Sequence, residues 1–246
     1  MITYRVFVSA SNQKANVGVG QYGTEQDRMH ILADRVKFWL ETQKGKFIVF
    51  RNPVGCTLAE TIKMCNNLAC DIFLEEHSDA GRVEDIAGDG GSEGTTVFYY
   101  TPGGVGGKSY QFATIIYKHL APISPGKDRG VLPDTSYGRT NGLYVIRKAK
   151  PPAILIENIF HTNHGEVQDM IASVDKYAKA QAKAICEYFG EKWQESLTPE
   201  QSVIALVDAM VKKGIVSSRE YWIDVLLGKI PANPEWLQVA FKRSLS

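Results

Sequence analysis

The chain has 246 residues, 44% hydrophobic and 22% charged, enough to bury a sizeable core in one large domain or in one domain with a small appendage. Its 28 basic and 27 acidic residues leave a formal net charge of +1, so no global field draws it onto nucleic acid or an anionic membrane. No apolar run approaches the length of a bilayer span and no leader pattern opens the sequence, so the expected product is soluble, cytoplasmic and not membrane-bound.

Val6-Phe7-Val8 reads as an opening strand. A polar, glycine-containing loop (residues 9–23) leads into an amphipathic helix from 25 to about 44, with Ile31, Leu32, Val36 and Leu40 on or near one face. Phe47-Ile48-Val49-Phe50 is the next strand, residues 58–68 a helix and 71–74 a strand buried on both faces. This β-α-β-α-β rhythm calls for parallel strands joined by right-handed crossovers. Strands follow at 95–100, 143–146 and 153–156, with helices at 108–120 and 174–189. The stretch at 80–94 is rich in Gly and Asp, and the glycine-rich stretch at 102–107, which lacks the Gly-x-Gly-x-x-Gly order of a dinucleotide site, is expected to form the flexible rim of a cleft. Cys56, Cys65, Cys70 and Cys186 show no Cys-x-x-Cys spacing and read as reduced thiols.

The predicted fold is α/β, a mostly parallel twisted sheet of about six strands with helices on both faces, occupying residues 1–190. A small helical unit (191–246) follows, opened by the helix-start signal Thr198-Pro199-Glu200-Gln201. Its three short amphipathic helices (203–212, 217–227 and 234–245) carry an apolar stripe that includes Trp222, Trp236 and Phe241. So short a span can hardly hold a full core, so docking on the first domain, binding a partner and forming a homodimer are its three options.

Chemistry concentrates at two strand ends. Leu74-Glu75-Glu76-His77 and Leu155-Ile156-Glu157 are apolar runs closing on metal-capable or proton-transferring groups, and Gly23-Thr24-Glu25 sets a third acidic residue at a helix head. Strand ends of an open α/β sheet bring such groups together across long sequence separations. A His and a Glu as ligands, with a further carboxylate to handle a proton, are the kit of a zinc hydrolase.

Four ordered motifs then resemble one family, the zinc-dependent N-acetylmuramoyl-L-alanine amidases of bacterial autolysins and phage endolysins. They are Leu74-Glu75-Glu76-His77-Ser78-Asp79-Ala80, Asp128-Arg129-Gly130-Val131, Lys150-Pro151-Pro152-Ala153 and Leu155-Ile156-Glu157-Asn158-Ile159-Phe160-His161-Thr162-Asn163. The likeness covers roughly residues 2–189. It implies a Zn2+ ion held by Glu25 and His77, Glu157 as proton carrier, and bacterial peptidoglycan as substrate, cut between N-acetylmuramic acid and L-alanine. Where the family usually has Asp-Pro-Gly-His-Gly with the first zinc ligand, this chain has Ser9-Ala10-Ser11-Asn12-Gln13. That resembles a Ser-x-Ser-x-Gln variant of the family and assigns the third ligand to Gln13, with Asn12 as the alternative in simpler register. By the same resemblance Arg129 and Asn67 are expected to touch substrate, and an endolysin would reach the wall after holin-type release or cell lysis. A non-catalytic peptidoglycan-binding module and a zinc peptidase acting on the stem peptide remain the alternatives.

Overall fold

The computed structural model describes residues 2–81, 92–104, 106–127, 129–195 and 199–244. They form two compact units, residues 1–194 and 195–246. The first unit runs β1 (Tyr4–Ala10), α1 (Glu25–Glu41), β2 (Phe47–Arg51), α2 (Leu58–Asn67), β3 (Ile72–Asp79) and β4 (Thr96–Tyr99). It continues with α3 (Lys108–Leu120), β5 (Val131–Pro133), α4 (Tyr144–Lys148), β6 (Ala153–Phe160), α5 (His164–Ala172) and α6 (Val174–Tyr188). The six strands make one sheet in the order β2-β1-β3-β6-β4-β5. All neighbours are parallel except β4, which runs antiparallel to β6.

Strand alternation divides the interior in two. Val6, Val8, Leu74, Ile154 and Ile156 face α1, α3 and α6, where Trp39, Phe112 and Tyr177 are fully buried. Phe7, Phe73, Leu155 and Phe98 face Ile62 of α2 and Val145 and Ile146 of α4. Local signals fix where the helices start. Thr24 caps α1 by accepting from the Asp27 N–H, and Thr57 and Glu60 form a capping box on α2.

Several expectations change. Residues 143–146 are not a strand: Tyr144–Lys148 is a short helix whose Val145 and Ile146 pack under the sheet. An apolar run of four fits either element, and here the helix covers the face that Leu155 leaves open. The sixth strand is instead Val131–Pro133, too short and too proline-bound to stand out in sequence. Helix α5 lies ahead of α6, and Ile31 is exposed on α1 while Met29 and Ala33 are buried. Most of the glycine-rich stretch 80–94, along with Asp128 and Thr198, lies outside the described residues.

The second unit is three helices, α7 (Pro199–Lys212), α8 (Arg219–Leu226) and α9 (Pro234–Ser244). It does bury a small cluster of its own, Val207, Val216, Trp222 and Ala240. Tyr221 packs edge-on against Trp236 at 4.5 Å, and its hydroxyl accepts from the Asn233 N–H at 2.5 Å. Trp236, Leu237 and Val239 are exposed, and the side chain of Phe241 lies outside the described set.

Candidate active site

The C-terminal ends of β1, β3 and β6 lie side by side, and parallel register sets His77 of β3 opposite Glu157 of β6. Both therefore project to the α2/α4 face, together with Glu75 two residues before His77. Glu25, the first residue of α1, is fully buried and reaches over the sheet end. Its Oε1 lies 2.8 Å from His77 Nδ1, and its Oε2 accepts from Asn16 Nδ2 at 2.5 Å. Gln13 Nε2 stands 3.4 Å from the same His77 nitrogen, and its Oε1 accepts from Asn16 at 3.2 Å.

The loop between β1 and α1 is tied down to make this possible. The Val19 N–H donates to the His161 carbonyl, and Tyr22, Ser78 and His161 hydrogen-bond in a chain beneath it. Gly18 is required there, because a Cβ would fall 2.3 Å from the Tyr22 ring and 2.8 Å from the His161 oxygen.

Electrostatics mark the cluster as strained. Burial opposes charge on His77, but the close approach of Glu25 and Glu75 and the charges of Glu157 and Glu25 outweigh it and hold the imidazole well above its usual pKa. Burial likewise pushes Glu25 upward, yet His77, Asn16 and Ser11 bring it below the ordinary carboxylate range. Glu157 goes the other way: burial, with the charges of Asp79 and Glu25, pushes it up to about 8 against the pull of His77 and Arg139. Glu157 Oε2 and His77 Nε2 are buried atoms without a hydrogen-bond partner among the described residues. Unpaired polar atoms in such a place are costly and mark a site that expects a ligand or a proton.

For a divalent metal the donor types converge: one carboxylate, one imidazole and one amide, with three carboxylates around a single histidine. No three His, Cys, Asp or Glu side chains among the described residues make a metal-holding group; the amide of Gln13, beside His77, is a weaker type of donor and its Oε1 accepts from Asn16. Asn12 is otherwise engaged. It donates to the Cys56 carbonyl at 2.9 Å, and its Oδ1 accepts from the Gly55 N–H at 2.7 Å and lies 3.0 Å from His30 Nε2. Beside His77 opens a cavity of about 520 Å³, lined by Ser11, Gln13, Cys56, Leu58, Leu143 and Leu155 among others.

Two expected substrate contacts are not brought to this cluster. Asn67 is exposed at the last turn of α2, at the starting end of the strands, because α2 runs back to the start of β3; its neighbour Asn66 pins the end of α4 instead. Arg129 lies over the Phe160 ring at 4.8 Å and donates to the Glu93 carbonyl at 3.2 Å. Sequence reading missed Glu75, whose Oε1 lies 3.7 Å from His77 Nε2, and Arg139, whose charge acts on Glu157. The signal for Glu75 was present, since i and i+2 on a strand share a face.

Residues 7–187 match the family model described as N-acetylmuramoyl-L-alanine amidase. The chain belongs to this family. Among curated relatives it is 30% identical over 152 residues to the N-acetylmuramoyl-L-alanine amidase LytC of Bacillus subtilis (strain 168), covering 61% of this chain but only 28% of that protein. It is 22% identical over 191 residues to CwlM of Bacillus licheniformis, covering 75% of this chain and 68% of CwlM. The fold is similar to the catalytic domain of CwlV from Bacillus (Paenibacillus) polymyxa var. colistinus, with a TM-score of 0.64, 23% identity and coverage of 77% of this chain and all (100%) of that one. An N-acetylmuramoyl-L-alanine amidase from Clostridium difficile 630 gives a TM-score of 0.65 at 22% identity, covering 78% of this chain and 100% of that one. Gln13, Glu25, His77 and Glu157 all fall inside the stretch that matches the amidase family.

Proposed function

We propose that this chain hydrolyses the amide between the lactyl group of N-acetylmuramic acid and L-alanine in peptidoglycan, with zinc as cofactor. The observation that carries the reading is the opposition of His77 and Glu157 on neighbouring strands beside an open cavity, each with an unpartnered polar atom. Family membership supports it. Glu25 and His77 would hold the zinc, with the amide oxygen of Gln13 as third donor; the bound ion would polarise the scissile carbonyl and acidify an attacking water.

Glu157 carries the proton. Burial raises this carboxyl above its ordinary range, which suits it to take the water proton and return it to the leaving amine. Glu75 holds the far side of the His77 ring by facing Nε2. The occasion we propose is that of a phage or prophage endolysin, reaching the wall after holin-type release or lysis. For residues 195–246 we propose wall binding or self-association through the exposed Trp236, Leu237 and Val239.

The test is product analysis on soluble muropeptide. Release of the L-alanine N-terminal amine, lost with a chelator and restored by zinc, is the expected result. Release of a different amine would make the chain a peptidase, and binding without cleavage would make it a module. A chain ending at Gln194 should cleave soluble muropeptide as well as the full chain but clear intact walls more slowly; equal clearing excludes a targeting role.

A further inference from the structure

The segment between β5 and α4 has a shape that the reaction above does not use. Asp134, nearly fully buried, anchors its start by accepting from the Thr101 N–H at 3.1 Å and from the Thr101 hydroxyl. Two left-handed residues then follow in succession, Tyr137 at φ 59° and Gly138 at φ 75°. The glycine adopts this freely; for a tyrosine it is strained and persists only where the surroundings impose it. The result is to fold Arg139 back over an aromatic pair, its guanidinium 5.1 Å from the Phe98 ring and 5.4 Å from the Tyr137 ring. Apart from its Nη1 contact to the Ser136 carbonyl at 3.3 Å, the guanidinium is held by packing, with no acidic side chain in ion-pair contact among the described residues.

Sheet register places that guanidinium. Phe98 of β4 is opposite Leu155 of β6, and Thr96 is opposite Glu157, so Phe98, Leu155 and Glu157 share one face. Arg139 therefore stands over β4, one strand beyond Glu157, whereas the 520 Å³ cavity lies over the β1–β3–β6 side and is lined by residues such as Ser11, Leu58, Leu143 and Leu155. Apart from His77 itself, that cavity lining holds no titratable acid or base except the Cys56 thiol and the Tyr144 phenol. The site thus has one side whose described lining, His77 apart, is uncharged and another that carries the Arg139 guanidinium, with Glu157 on the strand between them.

We infer that Arg139 is the specificity residue for the leaving peptide, binding a carboxylate of the residue after L-alanine, while the cavity beside His77 takes the uncharged sugar and lactyl side. This rests on the amidase reading above, and deepens it by giving the substrate a direction across the sheet. A guanidinium pre-oriented on aromatic rings matches a carboxylate in two parallel hydrogen bonds, the pairing arginine makes best. The cleaved bond then lies between the two subsites, over Glu157.

A matched pair of substrates tests it: N-acetylmuramoyl-L-alanyl-D-glutamate and the same compound with both carboxyls amidated. The parent should prefer the diacid by about tenfold or more in kcat/KM, mainly through KM. In Arg139→Gln the ratio of the two should collapse towards one, and Arg139→Lys should recover part of it. The ratio is the readout because general damage lowers both rates together. Calorimetry with the dipeptide L-alanyl-D-glutamate and its diamide gives a second measure that needs no turnover, with the diacid bound more tightly by the parent and not by Arg139→Gln. An equal ratio in the parent, or one that survives in Arg139→Gln, overturns the assignment. Arg139-dependent dipeptide binding without any cleavage would keep this subsite and overturn the amidase reading instead.

Discussion

Two buried carboxyls sit on the paired strands β3 and β6, and the two faces of the sheet treat them in opposite ways. Glu76 points towards α6, where one oxygen accepts from Asn158 Nδ2 at 2.7 Å and from Gln181 Nε2 at 3.2 Å. Glu157 points to the other face; its Oε2, like Glu76 Oε1, finds no partner among the described residues, and for Glu157 no hydrogen bond to its other oxygen is seen there either. Burial raises both, Glu76 to about 7 despite its two amide donors and Glu157 to about 8. Burial alone therefore does not distinguish a structural acid from a working one. What differs is the company: amides fix Glu76 as an acceptor inside the core, while Glu157 stands opposite His77, which lines the cavity.

The comparison breaks most visibly in turnover. Glu157→Gln keeps the shape and removes the titration, and should lower the rate by a factor on the order of 10² or more while leaving fold and metal content intact. Glu76→Gln should leave turnover within a few-fold, since its charge faces away from the cleft. Comparable losses in both variants, measured on soluble muropeptide, would erase the distinction between the two faces.

Metal content sharpens it next. His77→Ala and Glu25→Ala each remove one of the two proposed donors, so zinc by elemental analysis and activity should fall together, with metal affinity down by at least about tenfold. Full zinc occupancy in His77→Ala would move the metal away from this histidine.

Much of this was legible in the sequence, for physical reasons that also explain what was not. Leu74 to His77 and Leu155 to Glu157 are strands buried on both faces, so their apolar runs stand out and their polar ends mark the sheet edge. Glu25 was legible because Thr24 is a helix cap. Asn67 lies away from the cluster because a helix after β2 must return to the starting end of the strands before β3 begins, a matter of chain direction rather than of motif. The strand expected at 143–146 failed because four apolar residues do not declare a period. Arg139 could not be found in advance: its position depends on the left-handed Tyr137 and on the antiparallel β4, and neither has a sequence signal of its own.

A smaller effect concerns Gln13, the proposed third donor. Gln13→Ala should weaken zinc binding by a few-fold to about tenfold, and Gln13→His should hold or tighten it, imidazole being the stronger donor. Asn12→Ala is the control, because its amide is spent on the Gly55–Cys56 turn and His30; it should cost stability and spare the metal. If metal is lost in Asn12→Ala and kept in Gln13→Ala, the roles of these two amides are exchanged.

The smallest effect is on stability, and it isolates the core member of the pair. Glu76 has its folded pKa raised from 4.5 to about 7 by burial, with Asn158, Gln181, Arg51 and His77 pulling against it. The folded protein therefore keeps this proton over a window in which the unfolded chain has lost it. The Glu76 contribution to stability should fall as pH rises from roughly 4.5 to 7 and be flat above, the sign for a carboxyl that folding protonates. Glu76→Gln has no proton to lose and can still accept from both amides. Its stability relative to the parent should rise across that window by about 3 kcal/mol, read from urea midpoints near pH 4 and pH 8. The difference between the two curves removes the other titrating groups, His77 and Glu157 included. Parallel curves for parent and variant would mean that Glu76 is held ionised in the folded state, and the core face would then need a cation closer than Arg51 to balance it.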